Sequence, residues 1–201
     1  MEIYLLRHGA SVANERMLVC GSADYPLSAT GIEQAARVCR QLRRVPFSRI
    51  YSSSLSRALD TIAGLAGREA IRIESQLREL DAGEVSHITL PELWARDARF
   101  RRPWMSPDLR YPGGETFREM IQRISGWFDT QSQTWAEDEK VLIVGHEGTL
   151  RTIYSRLLGL SLADYPDFPI GNCDRLYFEL GKGKILRHAH VALASPNGDD
   201  A

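Results

Sequence analysis

Apolar and polar positions along this chain repeat with two periods, and the switches between them lay out its elements. Residues 2–6, built around Ile3, Leu5 and Leu6, predict a strand. Over residues 30–43, Ile32, Ala35, Ala36, Val38, Cys39 and Leu42 recur at helical spacing, with Thr30 placed as the cap. Residues 49–52 predict a short strand, 55–66 a helix, 71–73 another strand and 91–99 a helix. Phe117, Met120, Ile121, Ile124, Trp127 and Phe128 predict a long helix over 116–135. Residues 140–144 read as a buried strand and 149–158 as the helix after it. Residues 176–180 and 185–191 form a hairpin around Gly181, Lys182 and Gly183, and 195–201 read as a frayed tail.

Strands alternating with helices predict an α/β fold: a three-layer sandwich with a mostly parallel central sheet, helices on both faces and an antiparallel C-terminal hairpin. Residues 1–201 read as one domain. The irregular stretch 82–114 sits between elements and is expected to form a lid over one end of the sheet.

Composition narrows the function. The chain has 201 residues, 43% hydrophobic and 25% charged, with a net charge of −1. That is an ordinary globular balance, without a global electrostatic grip on nucleic acid or membrane. Of its 25 basic residues, only Lys140, Lys182 and Lys184 are lysines, which leaves a supply of planar, bidentate arginines suited to phosphate or carboxylate. Cys20, Cys39 and Cys173 are scattered and odd in number, so neither a disulfide framework nor a zinc site follows. With no leader pattern and no long apolar run, a cytoplasmic location is expected.

The candidate chemistry lies at strand ends, where open α/β sheets bind ligands. The first strand runs into Arg7-His8-Gly9, and the strand 140–144 runs into Gly145-His146-Glu147-Gly148. If the two are parallel, both imidazoles emerge at one rim, with glycines that let backbone approach a ligand. The strand 49–52 leads to Ser53, Ser54, Leu55, Ser56 and Arg57, where the serines are placed to cap a helix and Arg57 sits in its first turn. A helix N-terminus with an arginine is an anion site. Arg7, His8, Arg57 and His146 therefore make a candidate phosphate clamp.

Six blocks in the same order resemble the histidine phosphatase superfamily, the phosphoglycerate-mutase-like fold. They are Arg7-His8-Gly9 with Ser11 and Asn14; Gly21 with Asp24, Pro26-Leu27, Gly31 and Gln34-Ala35; Ser52 to Ala58 with Thr61; Leu77-Arg78-Glu79 with Gly83; Pro112-Gly113-Gly114-Glu115; and Val144-Gly145-His146. The resemblance implies a metal-independent, cofactor-free phosphatase acting on small phosphomonoesters through a phosphohistidine on His8. Arg7, Arg57 and His146 would neutralise the phosphoryl oxygens, and Glu79 would be the proton donor. Asn14, Cys20, Gly21 and Glu147 would contact substrate. Asp81 and Glu84 are rivals to Glu79, because the stretch Gly83-Glu84-Val85-Ser86-His87 departs from the family pattern. His87 reads as a surface residue.

A phosphoglycerate mutase is the alternative activity, but the chain is short where such mutases carry a longer insertion. Its length, its Pro-Gly-Gly-Glu turn and Gly171-Asn172-Cys173 look closest to the alpha-ribazole phosphatase and broad-specificity branch. A catalytically inactive phosphate-binding module is the third reading, disfavoured because both histidines and both arginines are present. His188 and His190 share a strand face without an evident third zinc ligand and read as a strand end. In the lid, Arg96, Arg99, Arg101, Arg102 and Arg110 interleave with Trp94, Phe100, Trp104 and Tyr111, which suits the leaving-group half of a nucleotide-like or sugar phosphate. Small-molecule substrate is the expected partner, with no nucleic acid and no membrane; a homodimer stays open.

Overall fold

The computed structural model describes residues 1–193, so the tail expected over 195–201 lies outside the described residues. In chain order the elements are β1 (Glu2–Arg7), α1 (Val12–Glu15), α2 (Ala29–Leu42), β2 (Arg49–Ser53), α3 (Ser56–Thr61), β3 (Ile71–Glu74), α4 (Leu90–Arg96), α5 (Phe117–Ser132), β4 (Lys140–Gly145), α6 (Glu147–Leu158), β5 (Arg175–Gly181) and β6 (Lys184–Val191). Short 3-10 turns connect several of them. The strands form one sheet in the order β3-β2-β4-β1-β5-β6. Pairs β1–β4, β2–β4 and β2–β3 are parallel, and β5 and β6 join as an antiparallel hairpin on the other side of β1.

Side chains of a strand alternate between faces, and the core divides accordingly. Ile3, Leu5, Tyr51, Val141 and Ile143 point into one layer with α5 and α6; Leu6, Ile50, Leu142 and Val144 point into the other with α2 and α3. Helices on both faces complete the expected three-layer α/β sandwich. Fully buried strand residues such as Leu5 and Leu142 each contribute roughly 1.5–3 kcal/mol of transfer free energy.

Local departures from the predicted elements have identifiable causes. The cap of α2 is Ser28, whose Oγ accepts from Gly31 N–H at 3.1 Å, so Thr30 lies inside the helix. Gly31 packs so closely on the loop after β1 that a Cβ there would lie 1.9 Å from the Ala10 carbonyl oxygen. That contact sets the helix face: Gly31, Ala35, Val38, Cys39 and Leu42 turn inward, while Ile32 is 60% exposed and Ala36 is also outside. Helix α3 ends at Thr61, short of 66, because its last turn tightens at Ile62, whose N–H reaches Leu59, and Gly64 and Gly67 follow. The helix expected over 91–99 divides at Asp97, which is extended and caps a separate turn, Ala98–Arg101, through Arg99 N–H. Helix α5 opens with a capping box between Thr116 and Glu119. No described helix is long and apolar enough to cross a membrane.

Candidate active site

Register brings the two histidines together. Arg7 pairs with Gly145 across β1 and β4, and His8 N–H donates to the Gly145 carbonyl at 3.0 Å. His8 and His146 therefore leave the sheet side by side at the carboxyl ends of parallel strands. Their ring centroids are 5.0 Å apart, and both residues are buried.

The hydrogen bonds select a tautomer for the His8 ring. His8 Nδ1 lies 2.7 Å from the Gly9 carbonyl oxygen, an acceptor, so Nδ1 carries the proton and Nε2 keeps its lone pair. Arg57 Nε donates to that Nε2 at 3.3 Å. His146 Nε2 lies 2.8 Å from Ser53 Oγ, which accepts from Leu55 N–H. Ser53 Oγ has a second lone pair and a proton of its own, so it pairs with either tautomer of His146. The buried His146 Nδ1 has no hydrogen-bond partner among the described residues, and neither does the buried Nε of Arg7. Burial first, and then the Arg57 and Arg7 guanidiniums, hold His8 well below its ordinary pKa. Burial, Arg57, His8 and Arg7 do the same to His146.

Arg57 is fully buried. Besides His8, it donates to the Ala23 carbonyl at 2.8 Å and the Gly21 carbonyl at 2.7 Å. Gly21 has φ +46, and a Cβ there would sit 2.4 Å from the Leu80 carbonyl oxygen, so this close backbone approach requires glycine. The expected serine cap is corrected. The N-terminus of α3 is capped from outside by Asp24, whose Oδ1 accepts from Ser56 N–H and Oγ–H at 2.9 and 2.8 Å. A carboxylate already occupies that helix end, so Arg57 presents its guanidinium to the site without help from the helix N-terminus.

Arg7 donates to the Ile170 carbonyl and pairs with Glu147 at 3.1 Å. Glu147 also holds Arg151 at 2.5 Å, so its carboxylate ties two cations together beside the cavity. Asn14 closes a capping box with Ser11, and its Oδ1 accepts from Asn172 Nδ2 at 3.3 Å. Cys20 is half-buried at the cavity wall, and burial raises its thiol pKa.

Glu79 also reaches the cavity. Its carboxylate accepts from Leu80 N–H and from Gly148 N–H, both at 3.0 Å. A Cβ on residue 148 would lie 2.4 Å from Glu79 Oε1, so the glycine makes this approach possible. Among the three acids, Glu79 lines the cavity. Asp81 accepts from Gly83 N–H at 3.0 Å, and Glu84 is exposed beside Gly113. His87 is exposed and bonds Tyr25. His190 pairs with Asp174 at 3.0 Å, and His188 stacks on Phe178.

The cavity has a volume of about 450 Å³. Arg7, His8, Asn14, Arg57, His146 and Glu147 line one end, and residues of 82–114 line the other. Four supporting residues escape the motif reading: Ser53; Thr61, which accepts from Gly9 N–H at 2.9 Å; Asp24 as a cap; and Asn172, which donates to the His8 carbonyl at 3.0 Å. Ser53, Thr61 and Asp24 stand inside the quoted blocks, so a polar residue within a block was the available signal.

A family model for the histidine phosphatase superfamily, branch 1, matches residues 3–190. The chain belongs to this superfamily. Among curated relatives, "Probable phosphoglycerate mutase GpmB" of Salmonella choleraesuis is 32% identical over 165 residues, covering 80% of this chain and 76% of the relative. Among solved structures, the alpha-ribazole phosphatase of Shigella flexneri is similar with a TM-score of 0.79 and 26% identity over 100% of both chains. A mycobacterial glucosyl-3-phosphoglycerate phosphatase complexed with VO3 has a TM-score of 0.80 and 28% identity, covering 96% of this chain and 99% of its own. This histidine phosphatase is thus an enzyme of phosphoryl chemistry on small phosphate compounds, with phosphatase or mutase activity.

Proposed function

We propose that the chain is a metal-independent phosphatase that hydrolyses small phosphomonoesters through a phosphohistidine on His8. The observation that carries this reading is the pair of buried, unpartnered nitrogens, Arg7 Nε and His146 Nδ1, at the cavity end where His8 Nε2 keeps its lone pair. A buried guanidinium N–H without a protein acceptor is costly; the oxygens of a phosphoryl group would satisfy it, and His146 Nδ1 too when that nitrogen carries its ring's proton. Attack by His8 Nε2 forms the N–P bond as the P–O bond to the alcohol breaks. Arg7, Arg57 and His146 neutralise the phosphoryl oxygens. Glu79, at the cavity wall, gives a proton to the departing alkoxide. It then takes one from the water that cleaves the N–P bond, releasing phosphate and restoring His8.

Asn14, Cys20, Gly21 and Glu147 are read as substrate contacts at the same wall, with residues 82–114 as the lid over the alcohol. Glu147 acts chiefly by holding Arg7 and Arg151 in place. A mutase reading draws on the curated relative's name. The wall facing the alcohol is chiefly aromatic, with Arg101 stacked on Trp94 and Arg151 bound to Glu147, which favours hydrolysis over an intermediate carrying a second phosphate.

The test is turnover of a chromogenic phosphomonoester in EDTA by the wild type and His8→Ala. Release that persists with chelator and vanishes in the variant is the expected result. Loss on chelation, or survival in the variant, refutes the mechanism. Conversion of 3-phosphoglycerate to 2-phosphoglycerate with a bisphosphoglycerate primer would favour the mutase.

A further inference from the structure

If the chain is a phosphatase, the cavity beyond Glu79 selects the alcohol that leaves. Its wall holds Trp94 on α4, Phe100 and Trp104 on the turns that follow, and Tyr111, Phe117 and Tyr165 behind them. The back rings pack on one another: Phe117 meets Tyr165 edge-on at 5.1 Å, and Tyr111 meets Phe100 at 4.4 Å. Trp94 and Trp104 are half-buried while lining the cavity. The guanidinium of Arg101 lies 5.0 Å over the Trp94 ring, which holds the indole as a flat wall.

The cations lining this end are engaged: Arg151 is bound to Glu147 and the Phe168 carbonyl, and Arg101 is stacked on Trp94. A second anionic group on the substrate would also meet the carboxylates of Glu147 and Asp167. A planar ring would meet apolar and π faces, where ring pairs gain attraction beyond the area they bury.

We propose that the substrate is a phosphomonoester whose alcohol half carries a planar aromatic ring system, seated among Trp94, Phe100 and Trp104. This rests on the phosphatase reading of the same site. The aromatic wall sets specificity while the histidine end performs the chemistry.

The experiment compares kcat/KM for (2-naphthyl)methyl phosphate, cyclohexylmethyl phosphate and glycerol 1-phosphate. Each leaves as a primary alkoxide, so leaving-group acidity does not bias the comparison. The naphthylmethyl ester is expected to exceed glycerol phosphate by about tenfold or more and the cyclohexylmethyl ester by about threefold. Trp94→Leu should shrink the naphthylmethyl-to-glycerol ratio by about fivefold, and Trp94→Phe should restore most of it. Equal values for naphthylmethyl and glycerol esters, or for naphthylmethyl and cyclohexylmethyl esters, overturn the proposal.

Failure to release phosphate from any ester sinks the phosphatase reading instead. The wall is then judged by tryptophan fluorescence on titration with (2-naphthyl)methylphosphonate and ethylphosphonate. A dissociation constant about tenfold lower for the aromatic phosphonate supports the proposal, and equal constants overturn it.

Discussion

At the phosphate end of the cavity, His8, Arg57 and His146 are at most 3% exposed; the His8 ring is held by the adjacent Gly9 carbonyl, and Arg57 by the carbonyls of Gly21 and Ala23, far off in sequence. At the alcohol end, residues 82–114 are short helices and turns. Their charges form exposed pairs such as Arg99–Asp97 and Arg110–Glu119, and their rings are half-buried or stacked on each other. Phosphoryl transfer needs the same few atoms placed to a fraction of an ångström, whatever the ester, so its histidines follow the ends of paired strands and Arg57 sits in the helix after β2. The alcohol differs from substrate to substrate, and the segment that meets it is made of elements that can change without disturbing the sheet.

The sharpest test of this contrast is Arg57. Arg57→Ala should lower kcat/KM by about 10³-fold or more, because it removes a preorganised cation in a water-poor site. Arg57→Lys should recover little, since one ammonium cannot replace a fork bound to His8, Gly21 and Ala23 together. A lysine variant within tenfold of wild type would show that charge alone suffices and break the contrast.

Next comes Gly148→Ala. Its methyl would stand 2.4 Å from Glu79 Oε1 and push the carboxylate away, so kcat should fall by roughly 10–100-fold. Competitive inhibition by inorganic phosphate should stay nearly constant. An unchanged kcat would remove Glu79 from the acid role.

The third effect is on stability. His8 and His146 stay neutral in the fold, with pKa values well below 6.5, whereas the unfolded chain protonates both near 6.5. The unfolded state therefore binds more protons below that pH, and stability falls as the solution becomes more acidic. The slope approaches about 1.4 kcal/mol per pH unit for each histidine. Denaturant titrations at pH 7.5, 6.5 and 5.5 measure it, and His146→Asn should flatten it; an equal slope in that variant would place the effect elsewhere.

The smallest effect is expected in the lid. Arg102→Ala removes its ion pair with Asp167, in which the side chains are 63% and 48% exposed, and should change folding stability by no more than about 0.5 kcal/mol. A larger loss in the same titrations would mean that the lid is as firmly built as the rim.

The strands and the two rim histidines were legible because they rest on local signals: short apolar runs buried on both faces and a histidine beside glycine at two strand ends. What escaped depends on contacts between distant positions. Ser28 displaced Thr30 as a cap because Gly31 had to meet Ala10. Asp24 took a helix end 32 residues away, and Asn172 reached His8 across 164. No periodicity encodes such pairings. The choice of Glu79 over Asp81 and Glu84 likewise rests on which carboxylate the chain turns toward the cavity, a matter of loop path.

The place of β1 in the sheet also sets a schedule. It is made before the other described strands, yet its neighbours are β4 and β5, which begin at Lys140 and Arg175. Until those are made this apolar segment has no strand beside it, and the pairing it awaits joins segments far apart in sequence, which makes folding slow and exposes an edge to other chains. His8 is therefore translated well before it can be positioned. A ribosome-bound fragment ending before residue 171 lacks the Asn172 and Cys173 contacts to the His8 carbonyl. Onset of activity would thus follow the synthesis of residues 172–173, not the appearance of the Arg7-His8-Gly9 motif.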